Sequence, residues 1–191
     1  MINFYNLFSE IKNSDNISIV FHINPDYDAI CSSLGFKLFL DFFFKKINIL
    51  SPSLIPDYLK YLNEINSIME FEKDENLSID ILKNSDIVFF LDLSSKKRLG
   101  NRIENLLPNL KAKKIVIDHH KNPEKNFYDF MIHFENHSST CEIIYDIINF
   151  FGFEKYMNYK IAENLYKGIA SDTGFFTFSN STLEVFQKIS N

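Results

Sequence analysis

The stretch KKIVIDHHKNP, residues 113–123, decides the fold. Its first five residues are a short basic and β-branched run that reads as a buried strand, and that run ends directly in Asp118, His119 and His120. The chain has only five histidines, so two placed side by side at the carboxyl end of a strand need a reason. Strands commonly end in polar residues, and a loop histidine is often only solvated. The other strand ends decide between that reading and a functional one.

Working outward, apolar runs of strand length recur at ISIVFH (17–22), INIL (47–50), IMEF (68–71) and DIVFFLDL (86–93), with FMIHF (130–134) as a possible edge strand. Helical patterns separate them. One runs from about Ala29 to Phe44, and a short one, IPDYLKYLNEI (55–65), carries Pro56 in its first turn. SSTCEIIYDIINFFG (138–152) predicts a helix capped by Ser138 or Ser139 and stopped by Gly152. A further helix is expected over residues 159–171, and SNSTLEVFQKIS (179–190) opens another through a capping box from Ser181 to Glu184. Nearly continuous apolar strands alternating with helices predict an α/β fold: a doubly wound, mostly parallel sheet with helices on both faces.

The totals fit one domain with a substantial core: 191 residues, 46% hydrophobic and 24% charged. A formal charge of −5 argues against gripping long duplex nucleic acid through its phosphates, though not against a nucleotide or short oligonucleotide held by metal ions. MINFYNLFSEIKNSD (1–15) lacks the pattern of a signal peptide. The most apolar segment, residues 34–50, is broken by Lys37, Asp41, Lys45 and Lys46 and predicts no membrane span. Cys31 and Cys141 form no CxxC pair, and the expected location is the cytoplasm, with both thiols as small buried side chains.

In a sheet of this kind ligands bind beyond the carboxyl ends of the strands. His22, Asp26 and Asp28 follow the first strand, Asp92 ends the strand at 86–93, and Asp118, His119 and His120 end the strand at 113–117. Asp172 follows the helix at 159–171. Each alone has an ordinary reading, such as a solvated Pro-Asp turn or a polar strand end. Together they put several carboxylates in one crevice, where like charges repel unless cations compensate. An Asp/His set without thiolates suits Mn²⁺, Mg²⁺ or Fe²⁺ more than structural zinc. Two such ions sharing a carboxylate, roughly 3.5–4 Å apart, are the usual device for hydrolysing phosphate esters.

HINPDYDAICSSLG, DLSSKKRLG, IDHH and LYKGIASDTGFFTFSN, in that order, resemble the four motifs of the DHH phosphoesterases. The second motif is similar to the form found in nano-RNases that are also phosphoadenosine phosphate phosphatases. The resemblance implies one metal held by His22, Asp26 and Asp92, and a second by Asp28, Asp92, His119 and Asp172, with Asp92 as the bridge. It implies that His120 faces the substrate phosphate, that Asp118 orients a ligating imidazole, and that a metal-activated water is the nucleophile. Two Mn²⁺ ions, with Mg²⁺ or other divalent cations in their place, and short oligoribonucleotides or nucleotide 3′-phosphates as substrates follow from the same likeness. Two other readings stay open: an inorganic pyrophosphatase, against which DLSS at the second motif weighs, and a non-catalytic metal- or nucleotide-binding module.

Residues 1–185 are expected to form the DHH domain, and 186–191 to begin a linker toward the DHHA1 domain that nano-RNases carry. A homodimer would cover the face such a domain otherwise covers. Ser32 and Ser33, placed in the first turn of the first long helix, are candidates for phosphate binding, with capping as the competing role. Arg98 is a further substrate candidate, with an exposed ion pair as the competing role. Tyr27 stands where the family commonly has glycine and narrows the crevice; His133 and His137 lie outside the motifs and read as ordinary.

Overall fold

A computed structural model describes residues 4–43, 46–152 and 154–190. Six strands, β1 (Asn16–Val20), β2 (Lys46–Ser51), β3 (Ile68–Glu70), β4 (Ile87–Leu91), β5 (Lys113–Asp118) and β6 (Phe130–His133), form one sheet in the order β3-β2-β1-β4-β5-β6. Every pairing is parallel. The edge strand expected at 130–134 therefore joins the same parallel sheet, as β6.

Alternation along the strands divides the core in two. Ile17, Ile19, Ile49, Phe89, Leu91, Ile115 and Ile117 face one side. Val20, Leu50, Val88, Phe90 and Val116 face the other. The register keeps the faces consistent, since Ile19 lies opposite both Ile49 and Phe89, and Phe89 opposite Ile115. The first face is covered by α1 (Phe4–Lys12), α2 (Tyr27–Leu40), α5 (Thr140–Phe150) and α6 (Tyr159–Asp172), with Val185 of α7 (Leu183–Ile189) joining them. The second is covered by α3 (Glu75–Lys83), α4 (Gly100–Glu104) and the turns that follow α4. Among the described residues no helix is long and apolar enough to cross a membrane.

α2 is the central helix, buried from Asp28 through Phe36 because sheet, α5 and α6 surround it. It starts at Tyr27 rather than Ala29, because the Asp26 carboxylate caps it and accepts the Ala29 N–H at 3.0 Å. Its expected end at Phe44 lies outside the described residues. The helix expected over 55–65 is instead two 3₁₀ turns, Asp57–Leu59 and Ile65–Ser67, with Pro56 ahead of the first. Glu64 between them has φ +64°, which breaks any continuous helix. At the C-terminus the cap is Thr182, whose hydroxyl accepts the Val185 N–H, one residue beyond the predicted Ser181. α1, α3 and α4 had no counterpart in the sequence reading.

Candidate metal centre

The chain leaves β1 toward β2 and β3, then returns to pair β4 on the other side of β1. At such a reversal the loops beyond the strands diverge and leave a crevice. His22 stands two residues past the end of β1, and Asp92 immediately past β4. Asp92 adopts a left-handed backbone at φ +55°, an uncommon conformation for a non-glycine residue. Its N–H is tied to the Ile117 carbonyl at 3.0 Å, which fixes the turn against β5.

His22, Asp26 and Asp92 form one group. The His22 Nδ1–H donates to its neighbour's carbonyl, Ile23 O, at 2.7 Å. Nε2 is thereby turned toward the carboxylates, 3.2 Å from Asp92 Oδ2 and 3.7 Å from Asp26 Oδ2, buried and without a hydrogen-bond partner of good geometry. Burial opposes charge on this imidazole, but Asp26 and Asp92 outweigh it and raise its pKa to about 9.

Asp28, His119 and Asp172 form the second group. His119 repeats the arrangement of His22. Its Nδ1–H donates to the His137 carbonyl at 3.3 Å, and its buried Nε2 lies 3.5 Å from Asp92 Oδ1, 3.4 Å from Asp172 Oδ2 and 3.9 Å from Asp28 Oδ2. Against the cost of burial, Asp172, Asp92 and Asp28 raise this imidazole to about 11. Asp28 is fully buried, and its two oxygens accept the Thr140 N–H at 2.6 Å and the Cys141 N–H at 2.9 Å, at the start of α5. Burial and the nearby Asp92 and Asp172 still push its carboxyl well above the usual range.

The two groups meet at Asp92, with Oδ2 toward His22 and Oδ1 toward His119. Burial works against its charge, but His119 and His22 hold it well below the usual carboxylate range. The donor chemistry fits divalent cations. Both buried Nε2 atoms lack partners of good geometry, their Nδ1 atoms are already committed, and Asp28, Asp92 and Asp172 crowd one another in a way that cations would relieve.

His120 sits at the mouth of this pair. Its Nδ1–H donates to Asp118 Oδ1 at 2.8 Å, and its Nε2 accepts from Arg98 Nη1 at 3.2 Å. Asp118 therefore orients His120, which with Asp92 and His119 makes a third group able to hold a metal, its Nδ1 3.4 Å from Asp92 Oδ1. Arg98 reaches both His120 and the Asp92 carbonyl, at 3.5 Å, rather than an exposed acidic partner. Ser32 and Ser33 do not line the crevice: both are buried in the second turn of α2, and both hydroxyls donate to Ala29 O. The first-turn placement failed because Asp26, not a later residue, caps the helix.

Three contributors escaped the sequence reading. The Thr140 hydroxyl donates to Asp92 Oδ1 at 3.2 Å. The His133 Nε2–H donates to the His120 carbonyl at 2.7 Å, and the His137 carbonyl receives His119. Neither histidine is ordinary. His137 is itself bonded to Asp146, which pairs with Lys188 of α7. Only the ends of β6 and α5 meeting the crevice could have signalled these roles.

α6 must come very close to α5 and Asp28. A Cβ on Gly168 would lie 2.2 Å from Cys141 Sγ and 3.0 Å from Asp28 Oδ1. Just past Asp172, Gly174, Phe175 and Phe176 have successive φ values of +57°, +54° and +66°. This left-handed turn stops α6 and leaves Phe175 78% exposed.

A family model described as the DHH family, N-terminal domain, matches residues 16–169. Uncharacterized protein MG371 of Mycoplasma genitalium is 32% identical over 182 residues, covering 95% of this chain and 52% of that protein. The bifunctional oligoribonuclease and PAP phosphatase NrnA of Thermus thermophilus is 29% identical over 173 residues, covering 90% of this chain and 47% of its own length. The crystal structure of an exopolyphosphatase-related protein from Bacteroides fragilis superposes with a TM-score of 0.93 at 31% identity, covering 98% of this chain and 54% of that one. The chain thus spans about half the length of the curated relatives it matches.

Proposed function

The chain belongs to the DHH family, over that family's N-terminal domain, and from this membership we propose that it is the catalytic domain of a two-metal phosphoesterase. Short oligoribonucleotides and nucleotide 3′-phosphates such as phosphoadenosine phosphate are its substrates, and Mn²⁺ is its metal. The observation that carries the reading is Asp92, whose two oxygens face His22 on one side and His119 on the other.

His22, Asp26 and Asp92 would hold one cation, and Asp28, Asp92, His119 and Asp172 the other. Such a pair, when bound, lowers the pKa of a water and neutralises charge on phosphate oxygens. The chain's own residues do the rest. Ile23 O and His137 O fix the ring orientation of His22 and His119, and the α5 amides hold Asp28 in place. Asp118 keeps the His120 hydrogen on Nδ1, so the bare Nε2 accepts from Arg98 and holds at the mouth the guanidinium, the group able to donate to a phosphate oxygen.

The relatives named for oligoribonuclease and PAP phosphatase activity support the substrate choice. Mn²⁺-dependent hydrolysis of a dinucleotide, phosphoadenosine phosphate and pyrophosphate, measured side by side, tests it. Turnover of the first two, abolished by Asp92→Asn, is the expected result. Preference for pyrophosphate would make the chain a pyrophosphatase. Two bound metals with no turnover of any of the three would make it a binding module.

A further inference from the structure

A small cavity opens where the start of α2 meets the end of α6. Tyr27, Tyr61, Tyr166, Lys167, Ser171 and Phe175 line about 130 Å³. Two of these residues are chain neighbours of the candidate ligands: Tyr27 lies between Asp26 and Asp28, and Ser171 precedes Asp172. Neighbouring Cα atoms are about 3.8 Å apart, which puts the cavity within one nucleotide's reach of the centre.

Its walls are unusual for a water-facing surface. Tyr61 is 65% exposed and Phe175 78% exposed. The Tyr27 ring is held in place through a hydroxyl–hydroxyl contact to Tyr61 and lies 6.1 Å from Tyr58, centroid to centroid. Phe175 gains little from burial, yet its backbone sits in the left-handed region, where a bulky residue is strained. Fixed, solvated aromatic faces are the surfaces on which nucleobases stack. At this volume, below the ~300 Å³ where pockets begin to enclose whole drug-sized ligands, the cavity takes one planar ring. Lys167, whose Nζ donates to Glu163, and Ser171 complete its lining.

We propose that this cavity is a nucleobase subsite, in which Tyr27, Tyr166 and Phe175 stack the base of a nucleotide whose phosphate lies at the metal centre. The proposal rests on the phosphoesterase reading and adds that the substrate is chosen by its base, through stacking rather than a base-edge hydrogen-bond code. A sequence-tolerant preference for nucleotides over base-free phosphates follows.

The test compares adenosine 5′-monophosphate with ribose 5-phosphate, by calorimetry with Mn²⁺ and by proton NMR of the tyrosine rings. The unmodified chain should bind the nucleotide about 10- to 100-fold more tightly. Tyr27→Ala and Tyr166→Ala should each shrink that difference several-fold, whereas Phe150→Ala, on the far part of α5, should preserve it. Equal affinities in the unmodified chain, including no detectable binding of either ligand, would overturn the subsite. So would an undiminished preference in both tyrosine variants. Equal affinities alongside intact Mn²⁺-dependent hydrolysis would sink the subsite alone; loss of hydrolysis and of all phosphate binding would sink the phosphoesterase reading with it.

Discussion

Asp28 accepts the backbone N–H of Thr140 at 2.6 Å across 112 residues of sequence. One buried carboxylate thus both joins α2 to the start of α5 and faces His119. Its two roles predict different effects of one substitution. In metal-free protein Asp28→Asn removes repulsion from Asp92 and Asp172 but turns an NH₂ donor toward one of the two α5 amides, and melting should shift little. With Mn²⁺ present the same variant should melt below the unmodified chain. Asp28→Ala should instead destabilise both forms, by about 1–3 kcal/mol for each of the two amides left unpaired, as urea titration would show.

The histidines predict how stability depends on pH. His22 and His119 are raised to about 9 and about 11, above the roughly 6.5 of an unfolded histidine. Their contribution in metal-free protein is complete below about pH 6.5 and is lost as pH climbs through those raised values. Asp28 and Asp172, also raised, act in the same direction. Ligation requires both imidazoles to give up these protons, so metal affinity must run the other way. With chelator the chain should melt higher near pH ~6 than near pH ~8.5. The stabilisation added by Mn²⁺ should be larger near pH ~8.5, with protons released on binding.

His120→Ala should cut kcat by about 10²-fold or more while leaving the metal content intact. Its Nδ1 is bonded to Asp118 and its Nε2 to Arg98, and loss of a metal in this variant would instead make it a ligand, as its group with Asp92 and His119 allows. Asp118→Asn should reproduce part of that loss, since its amide can offer a donor where Nδ1–H needs an acceptor. Steady-state kinetics with metal analysis of each variant checks both.

Gly168→Ala should overpack the α5–α6 contact by roughly 1–3 kcal/mol, because its Cβ would strike Cys141 Sγ. Adding Cys141→Ala removes the struck atom, and the double variant should recover much of the loss. A double-mutant cycle in urea would show the coupling.

The sheet was legible because five of its six strands are buried runs between helices, and the Asp-His-His tripeptide ends the fifth strand of the sheet from its β3 edge. The candidate metal-holding residues were legible through the family motifs, and the strand ends bring them within reach of one another. What hid was whatever sequence distance disguises. Thr140, His133 and His137 reach the crevice only because β6 pairs β5 and α5 starts above it. Ser32 and Ser33 misled because a helix start was read two residues late, which moved two buried hydroxyls to an apparently open first turn. α3 and α4 have mixed surfaces, and their few inward residues, such as Leu82 and Ile103, gain meaning only against the second face of the sheet.

The central claim is two metal sites sharing Asp92, and calorimetric titration of the metal-free chain with Mn²⁺ tests it most directly. The account predicts two ions per chain, one lost in Asp26→Asn, one lost in Asp172→Asn and both weakened together in Asp92→Asn. A single ion in the unmodified chain, or two ions undisturbed by Asp92→Asn, would contradict it.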